Sequence, residues 1–201
     1  MAMSIGLKID FPEHEYSGYL FDCDGTLIDS MPVHFAGWRV GLAEQGIHWD
    51  FPVDLYNSLA GTATDKIIAL INERFSLGID AAALMESKRK YYTSHLDDVG
   101  LIEPVVDFAR KVAETHPVAV VTGGIRPIVS ASLKAKGLLD LFPVLVTAAD
   151  VPNGKPAPDM FLKAARLLEV EPTGCVVFED GELGIQGGKA AGMDAVFIPS
   201  L

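Results

Sequence analysis

The chain is poor in several things at once, and each shortage narrows what it can be. It holds two cysteines, Cys23 and Cys175. Both fall in or beside apolar runs that read as core strands, so no structural disulfide is expected and a reducing, cytoplasmic setting fits best. Basic residues are scarce: 16 lysines and arginines stand against 27 aspartates and glutamates, a formal net charge of −11. Without a basic footprint, nucleic acid is not an expected partner. No apolar run approaches the roughly 18 residues of a membrane helix, and Met1 to Asp10 lacks a basic region followed by a long apolar stretch. Neither a membrane span nor a signal peptide is expected, and Met1 to Ser17 reads as a lead-in. Gly-x-Gly-x-x-Gly and the Walker lysine motif are both missing. The glycines of 181–188 fall inside an expected helix and point to close helix–sheet packing instead. Internal repeats and low-complexity tracts are absent too.

What is present is an alternating grammar. The 201 residues are 49% hydrophobic and 21% charged, which describes a globular chain of one large domain or a domain with an insertion. A monomer is expected. Gly18–Phe21, Val118–Thr122, Val144–Val146, Cys175–Phe178 and Ala195–Ile198 are short apolar runs that read as buried strands. Helices are expected at 104–116, 127–137, 158–168 and 182–191. Continuous apolar strands alternating with helices imply a parallel sheet covered on both faces. From 31 to 99 the pattern is helical throughout. Helices are expected from near Met31 to Gly46, from Asp65 to Phe75 with Thr64 as cap, and over about 80–97; residues 48–62 read as loop or short helix. The expected fold is therefore α/β: a doubly wound, Rossmann-like core of residues 1–30 and 100–201 with a small helical cap, 31–99, inserted after the first strand.

In such a sheet, ligands bind beyond the carboxyl ends of the strands. Here the first strand ends in Asp22-Cys23-Asp24, the second in Thr122-Gly123-Gly124, and the fourth in Glu179-Asp180. Lys155 follows the third. Each piece alone has a plain reading. Asp-x-Asp is usually a turn, Thr122 a strand-end hydroxyl, Lys155 a solvated lysine, and Glu179-Asp180 a helix cap. All of them on one rim favour a site. Two carboxylates at the end of a buried strand are costly unless something pairs them, and a hard cation with a phosphoryl group would do so. Phosphoryl transfer needs an in-line nucleophile, neutralised oxygens and a protonated leaving group. Asp22 fits the nucleophile and Asp24 the proton shuttle. Thr122, Gly123 and Gly124 fit phosphate binding, and Lys155 is a point charge for both nucleophile and phosphate. Asp22, Asp24, Glu179 and Asp180 form the expected Mg2+ set.

These residues carry a family likeness. Phe21-Asp22-Cys23-Asp24-Gly25-Thr26, Val121-Thr122-Gly123, Lys155-Pro156-Ala157-Pro158-Asp159 and Phe178-Glu179-Asp180 with Gly184-Ile185 resemble, in order, the four motifs of the haloacid dehalogenase superfamily of phosphohydrolases. The likeness spans about residues 18–199. Gly184-Ile185-Gln186 and Ala190-Ala191-Gly192-Met193-Asp194-Ala195 are similar to the β-phosphoglucomutase-like branch, and within it to fructose-1-phosphate and 6-phosphogluconate phosphatases. The resemblance implies a Mg2+-dependent phosphatase acting on a small phosphorylated sugar or sugar acid through an aspartyl-phosphate. It also places His34 where the mutases keep a hinge histidine; a packing or helix-surface histidine is an equal reading. Lys90 matches the mutase's cap lysine, with a solvated basic face as the commoner explanation. Thr64, after Leu59-Ala60-Gly61, stands where the mutase carries an arginine. That departure favours hydrolysis over the first alternative, a phosphosugar mutase; the second, a non-catalytic phosphosugar-binding regulatory protein, would have no need of Asp22, Asp24, Lys155 and Asp180 together.

Overall fold

The computed structural model describes residues 9–59 and 64–199. The first eight residues, with most of the expected lead-in's start, and Ala60 and Gly61 of the expected cap loop lie outside them. In chain order the elements are β1 (Gly18–Phe21), β2 (Ile28–Asp29), α1 (Met31–Glu44), α2 (Val53–Ser58), α3 (Thr64–Phe75), α4 (Ala81–Ser94), β3 (Gly100–Leu101), α5 (Glu103–Ala113), β4 (Val118–Thr122), α6 (Arg126–Ala135), β5 (Val144–Thr147), α7 (Asp159–Leu167), β6 (Cys175–Glu179), α8 (Glu182–Ala190) and β7 (Asp194–Phe197). They fall into two compact units: one runs up to Asp29 and resumes at Gly100, the other is Ser30–Val99.

The first unit is built on a five-stranded sheet of order β5-β4-β1-β6-β7, parallel throughout. Every residue of β1, β4 and β6 is buried, which explains their unbroken apolar runs. Alternate side chains of β1 feed two cores. Leu20 packs with Ala119, Val121 and Val177 against Met160, Phe161 and Ala164 of α7. On the other face Phe21 stacks on Phe178 at 4.7 Å, and Tyr19 and Phe178 meet Phe108 of α5. Helices thus cover both faces. The end of the lead-in is pinned here too: Phe11 stacks on Phe108 at 4.5 Å, and Ser17 N–H donates to the Gly174 carbonyl at 2.8 Å.

The glycines of α8 are packing residues. A Cβ on Gly187 would sit 2.7 Å from the Phe161 ring, and one on Gly188 would sit 3.0 Å from Val177. Both cysteines are buried, and neither forms a disulfide. No helix among the described residues is long and apolar enough to cross a membrane. An antiparallel ribbon, β2 with β3, went unpredicted. Two residues per strand leave no periodicity to read.

The second unit has its own core of Trp38, Leu42, Phe51, Tyr56, Ile67, Ile68, Ile71, Ile79 and Leu84. Helices α1 and α4 approach closely because Gly37 and Gly41 share one face of α1. A Cβ on Gly41 would lie 2.5 Å from Leu84. Gly46, at φ +70°, ends the first helix as its residue type suggests. The cap of α4 is Asp80, whose carboxylate accepts the Ala83 N–H at 2.9 Å. Helix α4 stops at Ser94, shorter than the periodicity suggested, and a 3₁₀ turn, Leu96–Asp98, follows it. Leu70, apolar in sequence, faces solvent at 43% exposure because Ile67, Ile68 and Ile71 take the buried face of α3.

Phe161 is fully buried where α7 meets the sheet and α8. Replacing it with alanine is expected to cost about 3–5 kcal/mol in chemical denaturation. A loss under about 1 kcal/mol would contradict this account of the core.

Candidate active site

Strand β1 is the central strand, and the chain leaves it at the point where the order of connections reverses, β4 and β5 lying to one side and β6 and β7 to the other. Such a switch point opens a crevice at the strand ends. Asp22 enters it with its N–H donating to the Phe178 carbonyl at 2.9 Å. Beyond Asp22 the chain turns tightly around one acceptor: the Cys23 carbonyl takes N–H donors from Thr26, Leu27 and Ile28. Gly25 closes the turn at φ +84°, where its N–H donates to the Ile28 carbonyl at 2.8 Å. A Cβ on Gly25 would fall 2.1 Å from Asp180 Oδ2, so glycine is required twice over: for its backbone angle and for room.

Lys155 is the hub of the charge arrangement. Its ammonium donates to Asp22 Oδ1 at 2.6 Å and to Glu179 Oε1. All three side chains are almost closed to solvent, at 12%, 9% and 4% exposure. Glu179 Oε2 accepts the Gly181 N–H at 2.8 Å. Gly184 leaves the space that this carboxylate fills, since a Cβ there would lie 1.8 Å from Glu179 Oε1. Asp180 Oδ1 accepts the Thr26 hydroxyl at 3.3 Å. Ligand oxygens of Asp22, Glu179 and Asp180 lie within 4.8 Å of one another.

Two buried carboxylates and the half-buried one of Asp180, set against one ammonium, repel each other. Burial pushes the Asp22 carboxyl well above the usual aspartate range, against the pull of Lys155. Burial, and then the neighbouring Glu179 charge, raise Asp180 to about 6. For Lys155 burial works the other way, but the carboxylates of Asp22 and Glu179 outweigh it and hold its pKa above the ordinary lysine value.

The other expected residues separate. Asp24 does not join the carboxylate cluster as a side-chain ligand. Its position two residues on in a tight turn sends the carboxylate toward the β4 loop, where Oδ2 lies 3.5 Å from a Cβ built on Gly124. Thr122 is buried, and its hydroxyl accepts the Gly124 N–H at 3.0 Å, so Gly124 spends its amide inside the loop. A Cβ on Gly123 would meet nothing within 4 Å, so this glycine faces open space.

His34 and Lys90 belong to the helical unit. The His34 ring stacks on Tyr92 at 4.2 Å, which gives it a packing role. Lys90 is 70% exposed and pairs with Glu86 at 3.5 Å one helical turn away, as a solvated lysine does. The lysine that sequence reading passed over is Lys88. Its ammonium donates to Thr64 Oγ1 at 3.2 Å and lies 4.7 Å from the centre of the Trp38 ring. Burial lowers its pKa to about 8. The signal was available: Lys88 falls one turn from Leu84 and Tyr92, on the apolar stripe of α4, and Lys90 does not.

Comparison with known proteins gives the chain's family. A family model for the haloacid dehalogenase-like hydrolases matches residues 16–192. The chain is 40% identical over 181 residues to the fructose-1-phosphate phosphatase YqaB of Escherichia coli K12, covering 90% of this chain and 95% of that protein. It is 33% identical over 201 residues to hexitol phosphatase A of the same organism, covering 90% and 82%. The crystal structure of CbbY from Rhodobacter sphaeroides in complex with phosphate shares the fold with a TM-score of 0.82 at 24% identity, covering 92% and 87%. The chain belongs to the haloacid dehalogenase-like hydrolase family.

Proposed function

We propose that this protein is a Mg2+-dependent phosphatase of a small phosphorylated sugar or sugar acid, such as fructose 1-phosphate or 6-phosphogluconate, with Asp22 as the nucleophile. The observation that carries the reading is the buried Asp22–Lys155–Glu179 triad beside Asp180, at the end of the central strand. In the proposed first step an Asp22 oxygen forms a bond to phosphorus as the bond to the leaving oxygen breaks, and Asp24 gives that oxygen a proton. In the second, water attacks the aspartyl-phosphate, Asp24 takes its proton, and Asp22 is released with inorganic phosphate. Lys155 favours the ionised form of Asp22. The Thr122 hydroxyl oxygen is occupied by the Gly124 amide, which leaves its proton and the Gly123 N–H as donors to the phosphoryl oxygens.

The donor set suits a hard divalent cation. It is all oxygen, closely spaced, and carries one buried ammonium against three carboxylates. Asp22, Glu179 and Asp180 would hold the ion, which when bound neutralises charge on the phosphoryl oxygens. We further propose that residues 31–99 act as a cap that governs which esters are accepted, with Lys88 a better candidate than Lys90 for meeting an anionic substrate. A half-buried ammonium whose pKa is lowered by desolvation gains from such a partner.

The assay is phosphate release over a panel of sugar phosphates, with Mg2+ and with excess chelator. Asp22→Asn is expected to abolish turnover while circular dichroism stays unchanged; retained activity would remove Asp22 from its role. For Asp24→Asn the expected loss in kcat is about 10²–10⁴-fold, and a near-normal rate would refute the shuttle. Asp180 gives a stability test. A carboxyl whose pKa rises to about 6 on folding stabilises the protein below its unfolded value of 3.8, and that contribution is lost as pH rises through about 6. At pH 7.5 Asp180→Asn should therefore raise the Tm of the metal-free protein and remove any rise on adding Mg2+. A lower metal-free Tm, with an undiminished response to Mg2+, would contradict the proposed metal site.

A further inference from the structure

A second charged network ties together the two loops that would hold the phosphoryl group. Arg126 opens α6, two residues after Gly124. Its guanidinium donates to the Leu145 carbonyl of β5 at 2.9 Å and to Asp150 Oδ2 at 2.5 Å. Asp150 sits in the turn that follows β5, five residues before Lys155. The same Oδ2 accepts the Thr147 N–H at 2.7 Å and the Thr147 hydroxyl at 2.8 Å, and Lys163 of α7 donates to the Asp150 carbonyl at 2.7 Å. At its far end the Lys155 loop is closed by the Asn153 amide, which donates to Asp159 Oδ1 at 3.0 Å. The Thr147 N–H first, and then its hydroxyl and Arg126, hold the Asp150 carboxyl down at about 2, so the pair stays charged at neutral pH.

Nothing in the catalytic reading uses Arg126 or Asp150. Arg126 is about half exposed and Asp150 about a quarter. Ion pairs this open contribute little to global stability. Their placement suggests another use. One side of the pair continues directly from the loop of Thr122 and Gly123, and the other side leads directly into the loop of Lys155. We propose that the Arg126–Asp150 pair is a positioning clamp that fixes the spacing between the Gly123 amide and the Lys155 ammonium, and with it the grip on the phosphoryl group. Both residues act through their loops and touch no reacting atom. The clamp rests on the phosphatase reading, because only that reading gives the two loops a common ligand.

The test uses Arg126→Met, Asp150→Asn, their double variant and Arg126→Lys in the full chain, with p-nitrophenyl phosphate as substrate and inorganic phosphate as competitive inhibitor. Each single variant should lower kcat/KM by about 10- to 100-fold, the cost of misplacing binding groups by about 1 Å, and weaken inhibition by phosphate. Arg126→Met should do so with little change in Tm, whereas Asp150→Asn also loosens the Thr147 turn and lowers Tm. The double variant should lose no more than the worse single variant, since either change opens the same clamp. Arg126→Lys, which keeps a charge opposite Asp150, should recover part of the loss in both readouts. Single variants within about twofold of wild type, or losses that multiply in the double variant, would overturn the clamp. Wild-type protein that neither turns over the ester nor binds phosphate would defeat the phosphatase reading, and the clamp with it.

Discussion

The ammonium of Lys155, shared between Asp22 and Glu179, is the interaction on which the rest of the site depends. It brings the end of β1, the end of β6 and the loop after β5 to one point. Asp22 and Glu179 end adjacent strands held in parallel register, Phe21 opposite Phe178. The sheet thus forces two carboxylates together, and a buried pair of like charges requires a counter-charge. Lys155 supplies one positive charge. Burial first, and the Glu179 charge after it, raise the Asp180 carboxyl to about 6. Three carboxylates against one ammonium leave negative charge that the proposed divalent cation would offset.

Several glycines of this chain are required by that charge cluster. Gly25 and Gly184 leave the volumes that the carboxylates of Asp180 and Glu179 occupy. Gly187 and Gly188 bring α8 down onto Phe161 and Val177, which holds the Glu179-Asp180 corner against the core. The packing of α8 and the electrostatics of the site are therefore one problem. A methyl group added at any of these positions displaces a carboxylate or the helix that follows it.

Much of this was legible in the sequence because it rests on strong local signals. The apolar runs of β1, β4 and β6 are continuous because both faces are buried, and the polar residues at their ends stand out against them. Asp22, Lys155, Glu179 and Asp180 converge as the strand-end argument implies. Other features were hidden for physical reasons. The β2–β3 ribbon is too short to show a period. The direction of the Asp24 carboxylate follows from a tight turn around the Cys23 carbonyl, and no spacing rule encodes that turn. Lys88 was missed in favour of Lys90 because a triplet of basic residues looks uniform in one dimension. Only the helical phase set by Leu84 and Tyr92 separates the half-buried Lys88 from its exposed neighbours. The Arg126–Asp150 pair joins residues far apart in sequence, and its partners could not be matched before the loops were placed.

The central claim is covalent: phosphate passes through Asp22. The most direct measurement traps that species. The protein is mixed with a substrate phosphate and Mg2+, quenched with borohydride, which reduces an acyl phosphate to an alcohol, and digested for mass spectrometry. The account predicts conversion of residue 22 to homoserine, dependent on substrate. Turnover with no modification at residue 22, or with the label on another carboxylate, would contradict it.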